Sequence, residues 1–147
     1  MDEKEIENQL KNAAEQLFLN QPTIYHFTPE TGKTEWNLAH HLAIEIHKLF
    51  PTFDCDLELT KHPANNRRPD IVLHERCCHK RNFLVIEVKA TGDLCDTIRD
   101  ARKIDRHWFT SPYYYQFGAV MNFKQNKAFH VEVLQNIKRP LQKPSKS

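Results

Sequence analysis

The chain has 147 residues, 39% of them hydrophobic and 27% charged, a length and make-up that predict one domain with one core at roughly 100–200 residues per domain. No run of residues approaches the ~18 apolar positions that a membrane span needs. The acidic start Met1-Asp2-Glu3-Lys4-Glu5 has no apolar leader stretch. Membrane-spanning, secreted and globally disordered classes are excluded on this reading, and a cytoplasmic protein is expected.

The formal net charge is only +2, from 21 Lys and Arg against 19 Asp and Glu. Its distribution is uneven. Residues 1–35 carry three Lys against seven acids, and residues 61–106 carry eleven Lys and Arg against seven acids. A basic middle suits a polyanionic partner. Cys55, Cys77, Cys78 and Cys95 make a poor disulfide framework, two of them being adjacent, and are expected as reduced thiols.

In chain order, Ile6, Leu10, Ala13 and Leu17 fall at helical spacing, which predicts an amphipathic helix over 3–19 capped by Asp2. Residues 28–33 read as a loop. Thr34 is the expected N-cap of a second helix that runs to about Phe50 and is stopped by Pro51. Phe53, Cys55, Leu57 and Leu59 alternate with polar residues as a half-buried strand does. The stretch 62–69, rich in Pro, Asn and Arg, breaks that strand. Strands are expected at 70–74 and 82–90, a turn at Thr91-Gly92-Asp93, and a third helix at 94–109 through Ile98, Ala101 and Trp108. Two more strands, 115–123 and 128–134, flank a turn. The order α-α-β-β-β-α-β-β predicts an α/β domain bordering on α+β. The domain spans 1–137 with its core over 34–123, and a basic, Pro-interrupted tail at 138–147 is expected to be flexible.

Several residues break the apolar pattern in an informative way. On the second helix Glu35 falls in the middle of the stripe formed by Ala39, Leu42, Ile46 and Leu49. A carboxylate there is either paired or metal-bound, or it stays wet in the first helical turn, where the helix dipole favours an acid. In the strand 82–90, Val85, Glu87 and Lys89 share one face and Leu84, Ile86 and Val88 the other. Matching the apolar faces of 70–74 and 82–90 as an antiparallel pair sets Ile71 against Ile86 and Leu73 against Leu84. The same register sets Asp70 opposite Glu87. Adjacent carboxylates repel unless a proton or cation lies between them, and an all-oxygen set suits Mg²⁺ or Mn²⁺ better than Zn²⁺. Lys89, next on that face, is placed to hold a water and to stabilise developing negative charge. The competing reading is a surface ion-pair cluster.

Pro69-Asp70, then sixteen residues, then Glu87-Val88-Lys89, with Glu35 on the preceding helix, resembles the PD-(D/E)XK nuclease superfamily. The resemblance implies a restriction-endonuclease-like αβββαβ core, here with an extra N-terminal helix and C-terminal strand. It implies that Asp70, Glu87 and the backbone carbonyl of Val88 bind catalytic Mg²⁺, with Mn²⁺ also supporting activity. Glu35 would complete the metal site, and Lys89 would orient the attacking water. The implied activity is hydrolysis of phosphodiester bonds, most simply in DNA. The alternatives are a nuclease acting on RNA and a non-catalytic nucleic-acid-binding module of the same fold.

Arg67, Arg68, Arg99, Arg102 and Lys103 are the expected phosphate contacts, which position a nucleic acid without reading it. Arg106 on the third helix and Arg76, Lys80 and Arg81 near the hairpin tip are softer candidates. For the third helix a solvated face balanced by Asp96, Asp100 and Asp105 is the competing reading. Tyr113, Tyr114 and Tyr115 are read as core rather than as a base-stacking platform. His74, Cys77, Cys78 and His79 fit no zinc spacing, Cys95 with His107 lacks an orienting group, and His40 and His41 are expected on an exposed flank. Cutting both strands of a duplex with one site per chain takes two copies, so a homodimer is expected.

Overall fold

The computed structural model describes residues 1–26, 28–59 and 68–140. Helix α1 (Glu3–Asn20) starts with a reciprocal cap: Glu5 N–H donates to Asp2 Oδ1 at 2.8 Å, and Asp2 N–H donates to Glu5 Oε2 at 2.7 Å. Where the sequence suggests only a loop, the chain makes a single helical turn, α2 (Thr28–Thr31). Helix α3 (Thr34–Leu49) follows, with Lys33 rather than Thr34 at the N-cap and no side-chain capping bond. Phe50 closes it through its N–H to the Ile46 carbonyl.

Strands β1 (Asp54–Leu57), β2 (Ile71–His74), β3 (Leu84–Lys89), β4 (Phe117–Phe123) and β5 (Phe129–Gln135) form one sheet in the order β1-β2-β3-β4-β5. All neighbours are antiparallel except β3 and β4, which run parallel. A parallel pair needs a crossover, and helix α4 (Leu94–Lys103) supplies it. The β2–β3 register is Ile71↔Ile86 and Leu73↔Leu84, the pairing the apolar pattern requires.

Each sheet face carries its own core. Ile71, Leu73, Leu84, Ile86 and Val88 pack with Ile6, Leu10, Leu38, Leu42 and Ile46 of α1 and α3. Val72 and Val85 pack on the other face with Ile104, Trp108, Phe109, Tyr113 and Tyr115. The tyrosines Tyr113 and Tyr115 are therefore core, as their position entering a strand suggests.

The third predicted helix is not uniform: after Lys103 it widens into a π-helical stretch, Ile104–Trp108. Its inward face also differs from the expected one. Ile98 is exposed, whereas Thr97, Asp100, Ile104 and Trp108 are buried. The π segment approaches β4 at Gly118, where a Cβ would run into the Ile104 side chain and the Phe109 ring. On α3, Glu45 is buried and takes hydrogen bonds from Asn20 Nδ2 at 2.9 Å and Lys48 Nζ at 3.1 Å. At the far end, Lys138 bonds Asp105 and Arg139 bonds Gln116 and the Lys80 carbonyl. The start of the basic tail is thereby anchored, and 141–147 lie outside the described residues. Among the described residues no helix is long and apolar enough to cross a membrane.

Candidate active site

The β2–β3 register and the alternation of β3 direct Asp70, Glu87 and Lys89 to the face covered by α4. Asp70 stands just before β2, where its backbone carbonyl accepts from Glu58 N–H at 3.1 Å. Its side chain turns to the neighbouring strand: Oδ2 accepts the Val88 N–H at 2.6 Å. Asp70 and Glu87 are hydrogen-bonded to each other through their carboxyl groups. Burial raises the Asp70 pKa, against the Val88 N–H, the Glu87 hydrogen bond and the Lys89 charge, which favour its ionised form. Glu87 is pushed much further up, first by burial and then by the charges of Asp70 and Asp100. Burial thus works against the charged form of both carboxyls, and most strongly at Glu87.

Lys89, about a quarter exposed, has its Nζ 3.5 Å from Asp100 Oδ2 and 4.0 Å from Glu35 Oε2. Burial works against the ammonium, but the carboxylates around it, Asp100 foremost, outweigh burial and hold its pKa above the ordinary lysine value. Glu35 is not buried in the apolar stripe: its side chain is 45% exposed, as an acid in a first helical turn tends to be. It nevertheless reaches the site, because Oε1 accepts the Ala90 N–H at 3.3 Å. The four charged residues read from the sequence therefore meet at one end of β3.

The residue the sequence reading misplaced is Asp100. Read there as one of the acids balancing a solvated helix face, it is 1% exposed and sits between Lys89 and Lys103, the latter at 3.0 Å. A signal was present. Thr97, Asp100, Ile104 and Trp108 are spaced as one helical face, and an acid in such a stripe invites the same question as Glu35.

The basic candidates divide. Arg67 lies outside the described residues. Arg68 is exposed and borders a small hollow of about 150 Å³ with Glu87, Lys103, His107 and Trp108. Lys103 is tied to Asp100, and exposed Arg99 to Asp96 at 2.8 Å. Arg99, Arg102, Lys103 and Arg106 border one open groove on the outside of α4, together with Cys95 and His107. At the hairpin tip Arg76 makes a two-pronged bond to Asp56, and Arg81 pairs with Glu75. These two are structural ties. His74 is bound to Asp56 at 2.7 Å and Cys77 is exposed, so the His74/Cys77/Cys78/His79 group is not gathered as a metal site. His40 is exposed and His41 half-buried on α3.

Asn122 is a further residue that the sequence reading missed. Buried on β4 opposite Lys89, it accepts the Gly92 N–H at 2.7 Å and donates to the Asp93 carbonyl at 3.0 Å and to Thr97 Oγ1 at 3.1 Å. It pins the β3–α4 turn, and with it the start of the helix that carries Asp100.

Among the described residues no three His, Cys, Asp or Glu side chains converge as metal ligands. The donor chemistry still fits a hard divalent cation. Two buried carboxyl groups face each other, and oxygen donors of this kind suit such an ion. No protein-family model matches the chain, and no curated protein sequence matches it.

Proposed function

We propose that the protein is a Mg²⁺-dependent nuclease that hydrolyses phosphodiester bonds, with DNA as the first substrate to test. The observation that supports it best is the placement of the facing Asp70 and Glu87 carboxyls with Lys89 beside them on one partly covered sheet face. The resemblance of Pro69-Asp70 and Glu87-Val88-Lys89 to the PD-(D/E)XK superfamily points the same way.

In this reading Asp70 and Glu87 would hold the metal, with the Val88 carbonyl and Glu35 as the further donors the resemblance implies. The ion would supply Lewis acidity, lowering the pKa of a bound water and offsetting charge at phosphorus. Lys89 stays protonated among its carboxylates and orients a water while stabilising the charge that develops on the phosphoryl oxygens. Glu35, fixed by the Ala90 N–H, holds that ammonium from the solvent side. Arg68, Arg99, Arg102 and Lys103 border the approach from α4 and supply sequence-independent phosphate contacts. A homodimer and a cytoplasmic location belong to the same proposal.

The test incubates the full chain with linear, supercoiled, branched and single-stranded DNA, and with RNA, in Mg²⁺, Mn²⁺ or EDTA. Metal-dependent cleavage that disappears in Asp70→Ala and in Lys89→Ala is expected. Cleavage that survives both substitutions rejects the assignment, and nucleic-acid binding without cleavage favours the non-catalytic module.

A further inference from the structure

We propose that Asp100 is the positioning residue for Lys89, a buried carboxylate on α4 that anchors the lysine ammonium beside the paired acids of β2 and β3. Its side chain is 1% exposed, and neither oxygen has an aligned hydrogen-bond donor. What faces it is two ammonium groups, one for each oxygen: Lys103 Nζ at 3.0 Å from Oδ1 and Lys89 Nζ at 3.5 Å from Oδ2. Lys103 reaches in from the solvent side, three residues along the same helix, and Lys89 comes across from β3.

A purely structural role explains this poorly. Asp100 occupies the inward stripe of α4 with Thr97, Ile104 and Trp108, where an apolar residue would pack without any desolvation cost. Burying a carboxylate there is costly unless it is well paired and well bonded, and here the bonding is incomplete. The neighbouring acids make the placement still less favourable, because the Asp100 charge acts on Glu87.

What the arrangement does accomplish is to fix a long side chain. A free lysine has much rotamer entropy to lose when it is held in one geometry. Glu35, 4.0 Å away and half-exposed, is a weak tether in water. Asp100 is the buried one.

The consequence for turnover rests on the nuclease reading; the anchoring itself does not, and the experiment separates them. Amine labelling of the folded full chain, read by mass spectrometry, compares Lys89 with Lys4, a lysine on a different helix. In Asp100→Asn, which keeps the side-chain shape, Lys89 labelling is expected to accelerate about fivefold while Lys4 is unchanged. In the cleavage assay Asp100→Asn is expected to lower kcat about 10- to 100-fold with KM nearly constant. On a Lys89→Met background, where about a thousandth of the cleavage is expected to remain, the same substitution should cost nothing more. Unchanged Lys89 labelling in Asp100→Asn, or losses that simply add, overturn the proposal. If no chain cleaves any substrate, the nuclease reading fails and the labelling still decides the anchor. Should Asp100→Asn not fold, the surface change Lys103→Met serves. Lys89 labelling is then expected to slow, because Asp100 loses its competing ammonium, and unchanged or faster labelling overturns the anchor.

Discussion

Two acid clusters sit on the same face of the sheet, one between β1 and β2 and one between β2 and β3, and they are built on opposite principles. In the first, Asp56 accepts two bonds from the Arg76 guanidinium and one contact from buried His74. The Arg76 bonds come first among the causes that hold its carboxyl down at about 2. In the second, beyond Val72, Asp70 and Glu87 face each other with Asp100 nearby; burial raises both pKa values, and the charges of Asp70 and Asp100 raise that of Glu87 further. The first cluster is satisfied as it stands. In the proposed reading the second would gain from a divalent cation. Close-set carboxyls with raised pKa values are candidates for a functional site, and matching each acid to its neighbours separates two clusters that look equally polar in the sequence.

The largest expected difference is in activity. Asp70→Asn, Glu87→Gln and Lys89→Met are each expected to lower cleavage by about 10³-fold, and Asp56→Asn to leave it unchanged. If the Asp56 substitution is equally damaging in the cleavage assay, the division between the clusters fails.

Stability should move the other way. Asp56→Ala removes the acceptor of buried His74 and is expected to cost about 1–3 kcal/mol in urea unfolding. Glu87→Gln removes a repulsion and is expected to add about 0.5–2 kcal/mol at neutral pH. The signs with pH should also oppose. The folded pKa of Asp56 is depressed from 3.8 to about 2, so its contribution is present above pH ~4 and is lost as pH falls towards 2, by up to about 2 kcal/mol. The folded pKa of Glu87 is raised above its ordinary 4.5, so its native state is favoured in acid and loses stability as pH rises through that folded value. Urea unfolding of Asp56→Asn and Glu87→Gln between pH 2 and 8 should therefore diverge from wild type at opposite ends.

The smallest effect is expected at the periphery of the site. Arg102→Gln on α4 should weaken nucleic-acid binding about uniformly across sequences and reduce its salt dependence by about one counterion. Filter binding across a salt series checks it.

The β2–β3 register was legible because one-residue slips expose Ile71, Leu73, Leu84 and Ile86 together, so apolar matching leaves little choice. From that register Asp70 and Glu87 follow. Lys89 follows from strand alternation alone. The phase of α4 was not legible in the same way. Ile98 and Leu94 are apolar yet exposed, and Asp100 is charged yet buried, so hydrophobic periodicity turns the helix partly away from its inward face, although Ala101 and Trp108 do pack inward. The partners that explain Asp100 lie on β3 and one turn further along α4. Asn122 was silent for a related reason, since its four contacts at Thr91, Gly92, Asp93 and Thr97 exist only once β4 lies against the crossover. The π-helical stretch at Ile104–Trp108 depends on the absent side chain at Gly118, a packing relation that no local spacing records.

The central claim is that the Asp70/Glu87 pair takes up a divalent cation. Titration of the full chain with Mn²⁺ at neutral pH, following the free ion by electron paramagnetic resonance, tests it directly. Saturable uptake is expected that Asp70→Asn and Glu87→Gln each abolish and Asp56→Asn retains. No uptake by the wild-type chain, or uptake that persists in both site variants, contradicts it.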